Sequence, residues 1–349
     1  MIGIKKTLML GFMVICLTGF LHPDDSLTPE NIERCKKQFV ANSETIAFTA
    51  GKFSLKGILV KPDNAGPHPV IVFNHGDSAG LINRTSNGVY WIIWEKLLKI
   101  GYACLSWDTP GSGESTGKHN WDDLFNERTA IVLAAIEYLK SRDDIDRSRI
   151  GLFGHSQAGY IMPMVISKSK DVAFMINMSG PAMTSRKQGA FQLKQQLIAH
   201  GMSDLQAQKY AEYHLKKGTA KTYKNYLEYA RLLHRNDYIR NELKKGEIVP
   251  EDQFKPAVPG FQWNYAPYDL LKKMTIPVLA IFGARDNLIN AKEDAVLYRK
   301  ALKAADNRHY AIKVFQDGDH SLGHRKNGIY MFVPGVFEYM CDWLSKLER

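Results

Sequence analysis

A chain of 349 residues with 45% apolar and 23% charged residues, 27 Gly and 14 Pro holds enough apolar material for a large core and excludes disordered, collagen-like and coiled-coil chains. Its formal charge of +10 arises from 46 basic residues mixed among 36 acidic ones. With no long run of one sign, nucleic acid is not an expected partner.

At the start, Lys5 and Lys6 precede an apolar stretch from Thr7 to Leu21, after which His22-Pro23-Asp24-Asp25 turns polar. That layout predicts a signal peptide over 1–21 and export to a periplasmic or extracellular space. About 15 apolar residues are short for a membrane span, so membrane attachment is expected only if the segment stays uncleaved. Loss of Cys16 with the signal would leave Cys35, Cys104 and Cys341, an odd set that is no disulfide framework. An oxidising compartment would permit a bridge between Cys35 and Cys341 without requiring one.

A short helix is predicted over 27–40, then a β-hairpin from the alternating segments 44–48 and 55–60. The continuous apolar run 69–73 reads as a strand covered on both faces and ends at Asn74-His75-Gly76. A tryptophan-bearing helix near 90–100, a strand over 102–107 and a Gly/Ser/Pro-rich loop over 108–117 follow. Then come a helix over 124–141, a strand over 150–153, a helix over 158–166 and a strand over 173–178. This alternation means βαβ units with right-handed crossovers, an α/β fold with a mostly parallel, doubly wound sheet. It pauses near Pro181 and resumes with a strand over 276–282, a helix over 293–305, a strand over 311–315 and a last helix near 335–346. The domain reading is a core over 43–182 and 267–349 interrupted by a helical cap insertion over 183–266. From Arg186 to Lys255 the cap carries fourteen Lys/Arg against eight Asp/Glu, +6 of the total charge. Its tyrosines, Tyr210, Tyr213, Tyr223, Tyr226, Tyr229 and Tyr238, are expected mainly to pack it. The basic balance fits either solvated outer lysines or recognition of a negatively charged acyl or leaving group.

The sharpest chemical signal is Gly154-His155-Ser156-Gln157-Ala158-Gly159, between a buried strand and an apolar helix. A serine hydroxyl needs a base to act as a nucleophile, and a tight strand-to-helix turn lifts it clear of the sheet. The usual G-x-S-x-G has Ala158 at its last position here. Two backbone N–H groups must hold the oxyanion: Gln157 supplies one, and Asp77 or Gly76, in the turn after the 69–73 strand, the other. His320, beyond the 311–315 strand, is the expected base and Asp286, beyond 276–282, its orienting acid. The order Ser156, Asp286, His320 suits a nucleophile raised on an α/β sheet. His324 is the alternative base, Asp317 and Asp319 the alternative acids, and His75 reads as a structural residue of its loop. Gly111-Ser112-Gly113-Glu114-Ser115-Thr116 lacks the last glycine and the context of a dinucleotide fingerprint. No histidine spacing asks for a metal, and no cofactor is expected.

On the segments 74–76, 107–115, 149–159, 283–286 and 319–320, the chain resembles serine esterases of the α/β-hydrolase fold. More narrowly it is similar to exported bacterial esterases related to serine aminopeptidases and dienelactone hydrolase-like enzymes. The resemblance covers roughly 48–347, the cap least. It implies the α/β-hydrolase fold and an acyl-enzyme on Ser156, with a small-molecule or glycan ester as substrate. Amide or thioester cleavage by the same triad and a non-catalytic binding protein are the alternatives, and a propeller-bearing peptidase would not fit this length.

Overall fold

The computed structural model describes residues 25–41, 43–76, 89–245, 247–256 and 264–347. The signal-peptide reading over 1–21 and Asp77 therefore lie outside the described residues. Helix α1 (Pro29–Ala41) leads into the hairpin β1 (Ser43–Ala50) and β2 (Phe53–Val60), then β3 (His68–Asn74), α2 (Val89–Lys99), β4 (Ala103–Trp107), α3 (Leu124–Lys140), β5 (Ile145–His155), α4 (Ala158–Lys168) and β6 (Phe174–Met178). Three helices follow in succession, α5 (Ser185–Ala199), α6 (Asp204–Gly218) and α7 (Tyr223–His234). After the short α8 (Tyr268–Leu271) the alternation returns with β7 (Val278–Gly283), α9 (Ala291–Ala304), β8 (Tyr310–Phe315), the hairpin β9 (Gly323–Lys326) and β10 (Ile329–Phe332), and α10 (Val336–Leu347).

Eight strands form one sheet in the order β1-β2-β4-β3-β5-β6-β7-β8. The pairs from β4–β3 to β7–β8 are parallel, while β1–β2 and β2–β4 are antiparallel. Alternation along each strand sorts side chains between two apolar layers. Val70, Val72, Leu152, Ala280 and Phe282 meet α3, α4 and α9 on one face. Ile71, Phe73, Phe153, Leu279 and Ile281 meet α1, α2 and α10 on the other. The α1–α2 contact is pinned by buried Glu95, which accepts from Arg34 at 2.5 Å and from Lys99 at 3.2 Å, and by Phe39 stacked on Trp91 at 5.2 Å. Cys35, Cys104 and Cys341 are all free thiols, and among the described residues no helix is long and apolar enough to cross a membrane.

Two local features differ from the sequence reading. Strand β5 begins at Ile145 rather than near 150, because its first residue pairs with His68 across an irregularity in β3. The β9–β10 hairpin was not expected. Its two-residue loop is Asn327-Gly328, with φ of 51° and 80°, and Lys326 pairs with Ile329, the geometry that Asn-Gly favours.

The inserted helices are started by hydroxyl side chains: Thr184, Ser203 and Thr222 accept from the backbone N–H three residues on. They close on themselves through Leu193, Leu197, Ala207, Leu233 and Ile239, with Tyr226, Ala220 and Ala230 in a second cluster. Tyr210, Tyr213, Tyr223 and Tyr238 are half-buried against these clusters, the packing role expected of them. The junction between β6 and α5 is held by Asp294 of α9, whose Oδ1 accepts from the Ala182 and Met183 N–H groups at 2.7 and 3.1 Å. Burial pushes that carboxyl up to about 7. Since the folded chain favours the protonated form, this carboxyl's contribution to stability is full below about pH 4 and is lost as pH rises through about 7. Asp294→Asn keeps an oxygen for both N–H groups, so it should raise stability at pH 8 by on the order of a few kcal/mol and leave pH 4 nearly unchanged. Thermal melts of both proteins at the two pH values check this.

Candidate active site

Ser156 follows the last residue of β5 with φ of 58°, a left-handed conformation that costs a non-glycine residue about 1–2 kcal/mol. The turn is held from both sides: Ser156 N–H donates to the Met178 carbonyl of β6 at 3.0 Å, and its own carbonyl accepts from Gly159 at 2.9 Å. Small residues are required here. A Cβ on Gly159 would lie 2.7 Å from the Gly180 Cα, and one on Gly154 would lie 2.9 Å from the Ala158 methyl. The second distance accounts for Ala158, whose methyl is accommodated because Gly154 has none. Gln157 begins α4, and among the described residues its N–H has no acceptor.

Asp286 and His320 are brought together from the ends of β7 and β8. His320 Nδ1–H donates to Asp286 Oδ2 at 2.8 Å, and the Asp286 side chain is fully buried. Asp286 Oδ1 accepts from the Leu288 and Ile289 N–H groups, each at 2.8 Å, so the carboxylate cannot swing away. The two loops touch because Gly283 is bare: a Cβ there would lie 2.2 Å from the Asp319 carbonyl. Arg285 N–H also donates to the Gly318 carbonyl at 2.8 Å. The His320 loop reaches the serine turn through His155, whose Nε2–H donates to the His320 carbonyl at 3.0 Å, the two rings lying 4.7 Å apart. Burial and the neighbouring His320 push His155 down to about 3, which keeps it neutral.

The alternative residues have other partners. Asp319 Oδ1 accepts from the Ser321 and Gly323 N–H groups and from the Tyr330 hydroxyl. Asp317 pairs with Arg285 at the surface, and His324 lies within β9 opposite Met331. His75 Nε2 lies 3.0 Å from the Trp107 carbonyl and 2.9 Å from Ser106 Oγ. Burial pushes it down to about 4, in keeping with a structural role.

Gly76 adjoins the serine: a Cβ placed on it would lie 3.9 Å from Ser156 Oγ. Its backbone faces the buried Tyr90 phenol, whose pKa burial pushes up, and the other loop candidate, Asp77, lies outside the described residues. Sequence reasoning missed the residue that organises this side of the site. Arg128 of α3, 7% exposed, donates to the Gly76 carbonyl at 2.8 Å, to Gln157 Oε1 at 2.5 Å, to Asn74 Oδ1 at 2.8 Å and to the His75 carbonyl. One planar guanidinium thus ties the loop after β3 to the start of α4, which no point-charge lysine can reproduce. A buried Arg in an otherwise apolar helix stripe was the available signal. Replacing it with Met leaves four acceptors without their donor and should lower kcat by on the order of 10²-fold with a smaller change in KM, if the loop after β3 and the start of α4 serve the chemistry that Ser156 would carry. Arg128→Lys should fall between, and circular dichroism establishes that both variants fold.

The arrangement can do acyl transfer: a raised serine, an imidazole oriented by a buried carboxylate, and a free N–H at a helix start. The sequence is 28% identical over 276 residues to esterase EstD of Thermotoga maritima, an alignment covering 77% of this chain and 58% of EstD. It is 28% identical over 142 residues to human dipeptidyl peptidase 8, covering 38% of this chain and 16% of that protein. The chain therefore spans little more than half the length of the first relative and a small part of the second. Among solved structures it is similar to an esterase of Pyrococcus furiosus, with a TM-score of 0.56 at 16% identity over 91% of this chain and 94% of that one. It is likewise similar to 2,6-dihydroxy-pseudo-oxynicotine hydrolase, with a TM-score of 0.53 at 16% identity over 91% and 72%. The profile of the alpha/beta hydrolase fold matches residues 69–324, from β3 through the His320 loop, and the chain belongs to the α/β-hydrolase fold family.

Proposed function

We propose that this chain is a serine hydrolase that cleaves carboxylic esters through an acyl-enzyme on Ser156. The observation that carries the reading is the left-handed Ser156 at the end of β5, next to His155 whose Nε2–H donates to the His320 carbonyl at 3.0 Å, with His320 itself bonded to Asp286 at 2.8 Å. Ser156 Oγ attacks the ester carbonyl carbon while His320 Nε2 takes its proton. The Gln157 N–H and a second backbone N–H, that of Gly76 or Asp77, hold the oxyanion, and the collapsing intermediate expels the alcohol, which leaves with the proton from His320. Water, deprotonated by the same nitrogen, then attacks the acyl-enzyme and releases the acid and free Ser156. The esterase name of the relative EstD supports ester over amide. The local match to a dipeptidyl peptidase keeps amide cleavage as the second reading. The apolar leader at 7–21 supports export.

A fluorophosphonate probe, with the adduct located by peptide mass spectrometry, and hydrolysis of short p-nitrophenyl esters test the proposal together. The expected result is an adduct on Ser156 and saturable turnover. Labelling without ester turnover would move the assignment to amides or thioesters, and an unlabelled Ser156 would remove the mechanism.

A further inference from the structure

The helical insertion encloses a second feature that the proposed mechanism does not use. A cavity of about 340 Å³ opens between α5, α6, α7 and the segment after them, within the size range of small-molecule sites. Four cations line it, Arg186, Lys217, Lys244 and Lys255, against one carboxylate, Glu247. The two deeper cations are held by neutral acceptors. Arg186 Nε donates to Asn264 Oδ1 at 2.9 Å, and Lys217 Nζ donates to the Lys245 and Glu247 carbonyls at 3.0 Å each. Lys245, behind them, donates to Gln196 Oε1 at 3.1 Å. Of the two lysines that end α6, Lys216 is exposed and Lys217 turns inward, so the cap's charge is not confined to a solvated outer face.

The fold makes room for this charge rather than dispersing it. Gly218 is bare where a Cβ would lie 2.5 Å from Arg186 Nη1. His214 also lines the cavity, and among the described residues its buried Nδ1 has no hydrogen-bond partner. Burial, with Lys245, Lys217 and Arg186 nearby, pushes His214 down to about 4. Half-buried positive charge whose hydrogen bonds go to neutral acceptors, with the single Glu247 carboxylate against four cations, is left in excess, and an anion would relieve it. The remaining wall is apolar and aromatic, from Ala220, Tyr226, Val249 and Phe254, which an inorganic ion would leave unfilled.

We infer that the cap cavity binds an organic carboxylate, its charge met by Arg186 and Lys217 and its hydrocarbon or aromatic body lying against Tyr226 and Phe254. This assignment stands apart from the reading of Ser156, and the carboxylate is either carried by the substrate or is a free ligand.

Calorimetric titration of the full chain with benzoate, with benzyl alcohol and sodium sulfate as controls, tests it. Benzoate should bind saturably and more tightly than either control. Arg186→Gln should weaken it by tenfold or more, the scale of one charge-assisted hydrogen bond. Should that variant fail to fold, Lys244→Gln combined with Lys255→Gln, both at exposed positions, should weaken binding severalfold. A second readout is the His214 imidazole followed by NMR, whose pKa should rise when benzoate binds. Equal binding of benzyl alcohol, equal binding of sulfate, no saturable benzoate binding, or an unmoved His214 would each overturn the assignment. Once benzoate binding is established, its effect on p-nitrophenyl butyrate hydrolysis separates the sources. Competitive inhibition assigns the carboxylate to the substrate, and undiminished turnover at saturation assigns it to a separate ligand. Because binding is read without turnover, an inactive Ser156 and an empty cavity give different results.

Discussion

Ser156→Ala should remove ester turnover, lowering kcat by on the order of 10⁵–10⁶-fold, while the protein unfolds at an unchanged temperature. On the proposed mechanism the size follows from the loss of the hydroxyl that forms the acyl-enzyme, since nucleophile and base in such a triad act as one unit. Stability should hold because neither anchor of the turn involves the hydroxyl: the Ser156 N–H to Met178 and the Gly159 N–H to Ser156 are both backbone bonds. Alanine at φ of 58° carries the same strain as serine. Glycine does not, so Ser156→Gly should be equally inactive and more stable by about 1 kcal/mol. Steady-state hydrolysis of p-nitrophenyl butyrate beside denaturant unfolding of all three proteins checks both halves. Residual turnover within tenfold of the parent in either variant would mean that another group carries the chemistry. A destabilised Ser156→Gly would mean that the turn is not strained.

The parts of this site that could be read from sequence are those in which local chemistry and chain order suffice. A buried strand, a hexapeptide free of large side chains and an apolar helix identify the Ser156 turn without tertiary information. Asp286 and His320 could be placed because successive parallel strands deliver their following loops to one sheet edge. Arg128 was not legible in the same way. Its meaning comes from α3 passing beneath two loops that are 29 and 52 residues away in sequence, and nothing in its own neighbourhood signals four acceptors. The cap's basic excess was visible as a count. Whether a lysine faces water or a cavity is decided by helix packing, as the adjacent Lys216 and Lys217 illustrate. The β9–β10 hairpin, by contrast, has a local cue in Asn327-Gly328, a weak one with flanking strands of only four residues each.

Asp286→Asn should lower kcat by about 10⁴-fold with KM nearly constant, a loss set by tautomer rather than by shape. Two backbone N–H groups, from Leu288 and Ile289, converge on Oδ1. An asparagine must therefore keep its carbonyl oxygen there and present its NH₂ group to His320 Nδ1. That nitrogen, which donates to Oδ2 at 2.8 Å in the parent, would then have to accept. The imidazole proton moves to Nε2, and a protonated Nε2 cannot take the proton of Ser156. Packing is preserved, since Asn and Asp are close in size and both backbone bonds survive, so unfolding should shift by no more than about 1 kcal/mol. Imidazole ¹⁵N shifts of His320 should report the Nδ1–H tautomer in the parent and the Nε2–H tautomer in Asp286→Asn. Asp319→Asn should leave both tautomer and kcat within a few-fold of the parent, because its carboxylate serves the Ser321 and Gly323 amides and the Tyr330 hydroxyl. If instead Asp319→Asn were the variant that lost turnover, the orienting acid would have to be reassigned to the His320 loop itself.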